Sequence, residues 1–259
     1  MVLITVFYLI FLAAPILLLL VGSFGESWSN TLLPQGFTLR WYEEIAADPS
    51  FRRAFWTSLK VVAATCALNV IVGLPLAYAI HSAANRGVRF AARLAALMPV
   101  AAPELVLAFG FILVFSSDAL PWLGSFWLLV AAHLVLTLPY SVTTLLADMQ
   151  QLRLSDYENV AASLGAGFGQ RVRDVVVPLL GASLMSSLLT VAALSIGEFQ
   201  LSNLISGFLS RPYPVVLLQA FYGATGFACA ATVVLLVLAA MASLASSFTA
   251  RAASGGRAG

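Results

Sequence analysis

Side chains able to do covalent chemistry are few and scattered. The two histidines, His81 and His133, and the two cysteines, Cys66 and Cys229, are widely separated and lie in or beside apolar runs. That is neither the clustered ligand spacing of a metal site nor a disulfide framework. No G-x-S-x-G nucleophile elbow is present, which argues against a serine hydrolase. No GxxxxGK[ST] phosphate loop occurs, and the only lysine, Lys60, enters an apolar run. No catalytic residue, metal or cofactor is therefore expected, and any ATP-driven step needs another chain.

Polar groups inside the apolar runs point to different work. Asn69, Glu104, His133 and Ser187 fall within such runs, and Glu198 stands at the end of one. In a bilayer such groups are costly, so they line a translocation path or bond one helix to another. Glu104 follows Pro103, whose ring leaves a backbone carbonyl unpaired and can bend a helix. Counted along a straight span, Glu104 is expected about 15 Å deep from the cytoplasmic end at 1.5 Å per residue. A carboxylate there suits a solute carrying an amine and repels a purely anionic one. His133 and Asn69 suit helix packing better than the path. The small residues Gly181, Ser183, Ser186, Ser187 and Thr190 suit close helix contact or a narrow passage.

The elements that must hold these residues are membrane spans. Of 259 residues, 61% are hydrophobic and only 9% charged, far below the roughly 25% charged content of a soluble domain. At roughly 20 apolar residues per span, the length accommodates five to seven crossings and no further catalytic domain. Net charge is +2, too weak a basic balance to suggest nucleic acid. Apolar runs at 1–23, 57–80, 94–117, 125–147, 179–197 and 215–248 give an all-α polytopic fold with six expected transmembrane helices. The first run lacks a basic lead and a small-residue cleavage site, so it reads as a span and not a signal peptide. Arg86, Arg89 and Arg93 mark the 81–93 loop as cytoplasmic, which puts both termini inside. Trp28, Trp41, Trp56, Trp122 and Trp127 all fall in or beside the outer loops, as an interfacial aromatic belt requires. Residues 24–56 are expected to form turns and a short interfacial helix outside.

One cytoplasmic loop, residues 148–177, is longer than adjacent helices need. Ser155 with Glu158 three residues on matches a capping box, and Leu154, Tyr157, Val160, Ala161 and Leu164 share one helical face. Gly165, Gly167 and Gly169 interrupt that helix before a second short one beginning at Gln170. Such a knob, with Arg171 and Arg173 as polar anchors, suits a groove in a soluble partner. It also suits a helix pair that simply caps the bundle.

The stretch NVAASLGAGFGQRVRDVVVPLL resembles the cytoplasmic EAA loop of permease subunits in binding-protein-dependent ABC importers. The match falls on Ala161, Ala162, Leu164, Gly165, Ala166, Val177, Pro178 and Leu179. Asn159 stands where that pattern has its acid, and Glu158 lies one residue earlier. Gly36 to Tyr42, Ser58, Gly73 with Pro75, Pro99 with Pro103, Pro139-Tyr140 and Gly197-Glu198-Phe199 extend the likeness along the chain. The subgroup handling spermidine or putrescine, iron(III), sulfate and phosphonates is most similar. The string from Gly197 to Phe221 looks most like permeases for 2-aminoethylphosphonate.

The resemblance implies a type I ABC importer permease fold in the bacterial inner membrane, with residues 1–248 as the transmembrane domain and 249–259 as a flexible cytoplasmic tail. It implies two ATPase subunits, a second permease subunit, identical or related, and an external solute-binding protein, with 148–177 as the coupling loop. A stand-alone secondary transporter would need matching inverted halves, and no convincing second half is visible. A membrane structural or assembly protein is the remaining alternative.

Overall fold

The computed structural model describes residues 2–28, 31 and 33–255. Helices run over α1 Val2–Ser23, α2 Arg40–Ala47, α3 Pro49–Ser82, α4 Arg86–Ala101, α5 Glu104–Phe115, α6 Phe126–Gln151, α7 Leu154–Ser163, α8 Phe168–Gly197, α9 Gln200–Ile205, α10 Tyr213–Ala220 and α11 Thr225–Gly255. Among the described residues there is no strand, only isolated bridges at Ser27–Gln35 and Gly124–Ser206. Helices dominate because a bilayer offers backbone groups no water and each helix satisfies its own.

Ile4–Ser23, α3, α6 and α8 are long and apolar enough to cross a membrane. The expected third span is not straight. It divides at Ala102–Pro103 into α4 and α5, which meet at 97° and together count as a fifth candidate. Proline removes the N–H that would continue the helix and drives the preceding residue to extended backbone, here Ala102 at ψ 132°. The expected sixth run also divides, into α10 and the 31-residue α11. Six crossings are expected; among the described residues, length and composition mark four helices, or five with the bent pair counted as one. Of the expected tail 249–259, the backbone is helical to Gly255, and 256–259 lie outside the described residues.

Two crossing helices carry a π-helical turn just before a proline. Asn69–Gly73 precedes Pro75 in α3, and Val172–Val176 precedes Pro178 in α8. Widening the turn relieves the clash between the proline ring and the carbonyl four residues back.

The short helix expected in 24–56 is α2. Its Trp41 is buried, donates to the Gly25 carbonyl at 2.7 Å, and packs with Ile45, Phe51, Tyr213 and Leu217. A second cluster at the other end joins Ala77 and Ile80 of α3, Val142, Leu145 and Met149 of α6, Leu154 of α7, and Val176 and Leu180 of α8. A third, between them, joins α3, α5, α6 and α9 through Val61, Ala108, Leu129 and Leu201. Phe7 and Phe11 of α1 and Phe90 and Met98 of α4 remain exposed on the single chain. An apolar surface of that extent belongs against lipid or another subunit.

Candidate functional site: a basal knob and a two-acid cavity

The loop 148–177 is a knob, but it is built differently from the sequence expectation. Helix α7 begins after Arg153, which takes left-handed backbone at φ 53°, and no side chain caps it. The capping box expected from Ser155 and Glu158 does not form. The Ser155 hydroxyl instead lies 3.2 Å from His81 Nε2, and Glu158 Oε1 accepts a 2.6 Å bond from the Tyr78 hydroxyl. Both side chains turn toward α3, beside the fully buried Leu154.

The shared apolar face expected on α7 therefore splits. Leu154 and Glu158, four residues apart, face inward, and Ala161 is half-buried. Tyr157, Val160 and Leu164 face outward at 53%, 61% and 83% exposure. With Asp156, Ala161 and Val175 they line an open groove of about 450 Å³. A carboxylate inside and three large apolar groups outside is the reverse of a free surface helix.

Helix α7 ends in a Schellman turn: the Ala166 N–H bonds the Ala161 carbonyl, and the Gly165 N–H bonds the Ala162 carbonyl, both at 3.0 Å. Gly165 sits at φ +87°, where a side chain is strained. The second short helix expected from Gln170 is the first turn of α8, which starts at Phe168 and runs on into the membrane. Gln170 Oε1 accepts from the Gly167 N–H at 3.0 Å. Asn159, Ala162, Arg173 and Pro178 are exposed, Ala166 and Arg171 half-buried, and Arg173 pairs with Asp174 at 3.3 Å.

The polar residues singled out in the spans separate into two groups. Glu104 and Glu198 line one cavity of about 400 Å³ with Leu136, Tyr140, Ala193, Leu194, Gly197, Phe199 and Gln200. Glu104 opens α5 at the break, half-buried, and does not sit midway along a straight span as expected. Glu198 is buried, and its carboxylate accepts from the Leu201 N–H at 2.7 Å, the Ser202 N–H at 2.9 Å and the Ser202 hydroxyl. It thereby caps α9, leaving Glu104 as the freer acid of the two.

Two of the other three bond helices together. His133 lies between Ser195 at 2.7 Å and Ser202 at 2.9 Å, joining α6 to α8 and α9. Asn69 donates to Thr137 at 3.1 Å and accepts from Ser141 at 2.7 Å, joining α3 to α6. Ser187 is buried and donates to the Leu184 carbonyl of its own helix at 2.8 Å. Tyr78, Ser195 and Ser202 were not singled out in the sequence, because no local pattern marks a partner on another helix.

The family described as the inner membrane component of binding-protein-dependent transport systems matches residues 69–252, most of the chain. The chain belongs to this family. It is 29% identical over 203 residues to PhnV of Salmonella typhimurium, a permease protein named for a 2-aminoethylphosphonate transport system, covering 78% of this chain and 74% of that one. It is 25% identical over 245 residues to PotC of Escherichia coli, a spermidine/putrescine transport system permease protein, covering 93% and 90%. In fold it is similar to a chain of a bacterial ABC transporter that imports alginate, with TM-score 0.70, 17% identity, and 93% and 91% covered. The matched region takes in the knob, the cavity and both π-helical turns, so this permease carries its distinguishing features inside the family segment.

Proposed function

We propose that this permease is a non-catalytic membrane subunit of an ATP-driven importer for a small solute bearing an amine. The outward apolar face of Tyr157, Val160 and Leu164 on a knob fixed at the base of the bundle carries the reading. Exposed large apolar groups on a rigid element call for a partner, and the partner in this reading is one of two ATPase subunits. Residues 148–177 are then the coupling loop, with Glu158 and Leu154 holding it from inside and Gly165 setting its bend. Residues 1–248 are the transmembrane domain, 249–259 a cytoplasmic tail, and both termini are cytoplasmic. A second permease copy or relative completes the core, and an external binding protein delivers the solute.

For the solute, the cavity with Glu104, Tyr140 and Glu198 supplies negative charge and no basic residue. An ammonium group fits that lining, and 2-aminoethylphosphonate and the polyamines named for the relatives both carry one. Glu104 and Glu198 are read as path residues on this ground, while Asn69, His133 and Ser187 hold the walls.

Uptake into vesicles reconstituted with the cognate ATPase, partner permease and binding protein tests the reading. ATP-dependent uptake of an aminated solute is expected. Uptake driven by an ion gradient with this chain alone would instead indicate a secondary transporter, and no transport in either system an assembly protein. Glu104→Gln is expected to lower uptake of the aminated solute about tenfold, the loss of about 1.4 kcal/mol of charge interaction. Unchanged kinetics would return Glu104 to a packing role.

A further inference from the structure

The knob touches the bundle through two kinds of contact with different mechanical character. Leu154 sits among side chains of α3, α6 and α8, and such apolar contact is non-directional, so it holds α7 down without fixing its register. The polar contacts select one helix. Tyr78 donates to Glu158 at 2.6 Å, His81 lies 3.2 Å from the Ser155 hydroxyl, and both Tyr78 and His81 belong to the last turn and a half of α3. The Tyr78 ring also leans on Phe168, with centroids 6.1 Å apart, where α8 leaves the knob.

Helix α3 is softened just beyond this attachment. Its π-helical turn Asn69–Gly73 and Pro75 interrupt the regular bonding, and such interruptions are where helices bend. On the far side of the soft segment Asn69 is pinned to Thr137 and Ser141 of α6. Tyr78 is nine residues further along, about 13 Å at helical rise. The end of α3 is therefore an arm with a joint at one end and the knob fastened to the other.

We propose that the Tyr78–Glu158 hydrogen bond is the tie through which displacement of α7 moves the cytoplasmic end of α3, making Tyr78 and Glu158 positioning residues for transport. The proposal rests on the reading of α7 as the ATPase-docking element. It accounts for a buried carboxylate on the inner face of α7, one residue from where the related pattern has its acid.

The test is the ratio of solute imported to ATP hydrolysed by the reconstituted complex. Tyr78→Phe keeps the ring and its contact with Phe168 and removes the hydroxyl that bonds Glu158 and also meets Ser82. It is expected to leave ATPase co-purification and hydrolysis near the parent level while lowering the ratio roughly fivefold or more, the lower end of typical coupling. Glu158→Ala should match it, Glu158→Gln, which keeps an acceptor oxygen, should stay near the parent ratio, and the double variant Tyr78→Phe/Glu158→Ala should be no worse than either single change. A parent ratio in Tyr78→Phe, or additive losses in the double variant, would overturn the tie. Leu164→Arg separates the docking reading. Loss of ATPase co-purification supports it, and retained, fully coupled ATPase would remove that reading and the tie with it.

Discussion

Ser202 donates its one hydroxyl proton to Glu198 while standing 2.9 Å from His133 Nε2, so it must accept there from the imidazole N–H. His133 Nδ1 lies 2.7 Å from the Ser195 hydroxyl, and its Nε2 also lies 3.5 Å from Glu198 Oε2. The result is a bonded chain of Ser195, His133, Ser202 and Glu198 running across three helices. His133 is absent from the lining of the two-acid cavity. Its work is to fix where α8 ends and α9 begins, which in turn places Glu198.

His133→Ala should therefore cost stability before it costs solute affinity. It strips the buried Ser195 hydroxyl of its imidazole partner and opens a hole, about 1–3 kcal/mol for the unsatisfied group alone. Thermal unfolding in detergent should give a lowered midpoint, with KM for the solute unchanged in whatever folded complex is recovered. A shifted KM at parental stability would instead place the imidazole in the path.

Asn69→Leu is expected to be milder. Thr137 retains its bond to the His133 carbonyl and Ser141 its bond to the Leu138 carbonyl, so neither hydroxyl is orphaned. Two interhelical bonds are lost at about 0.6 kcal/mol each, roughly 1 kcal/mol in total. Measured side by side, the Asn69→Leu midpoint should fall less than that of His133→Ala.

Gly207→Ala tests the outer closure. A Cβ on Gly207 would meet the Gly124 carbonyl oxygen at 2.5 Å, and that oxygen is backbone and cannot swing away. The same approach carries the Gly124 N–H to Ile205 bond at 3.1 Å and the Ser210 to Gly124 bond at 2.8 Å. A loss of about 1–3 kcal/mol is expected from overpacking, read as a lowered unfolding midpoint, with ATPase co-purification unaffected because the site is at the opposite end from the knob.

Gly165→Arg tests the bend of the knob. No atom lies within 4 Å of a Cβ built there, so the penalty is conformational, from φ +87°, at about 1–2 kcal/mol. Membrane insertion should persist while ATPase recovery and uptake are lost. Gly165→Asn, which tolerates this backbone, should recover part of both, and full uptake by Gly165→Arg would sink the docking role of the loop.

Much of this arrangement could be read from residue types alone. The long apolar runs became helices because burying backbone polar groups in lipid leaves few alternatives, and the glycines after Leu164 became a bend because Gly165 tolerates left-handed backbone. Pro103 marked a bend, but its size, 97°, depends on what α4 and α5 each pack against. The Ser155–Glu158 spacing satisfied a capping rule that the fold overrode, since Tyr78 and His81 offered partners from α3.

The sequence by itself determined a polytopic helical chain, a structured basal loop and a family likeness, because hydropathy, periodicity and motif spacing are local properties. Only the tertiary structure decided which face of α7 turns outward, which of the intramembrane polar residues share a cavity and which bond helices together. Those outcomes depend on pairs such as Tyr78 with Glu158 and Ser141 with Asn69, more than seventy residues apart in sequence. Hydrogen bonds are short-ranged and directional, so such pairs exist only once packing has brought their helices into register.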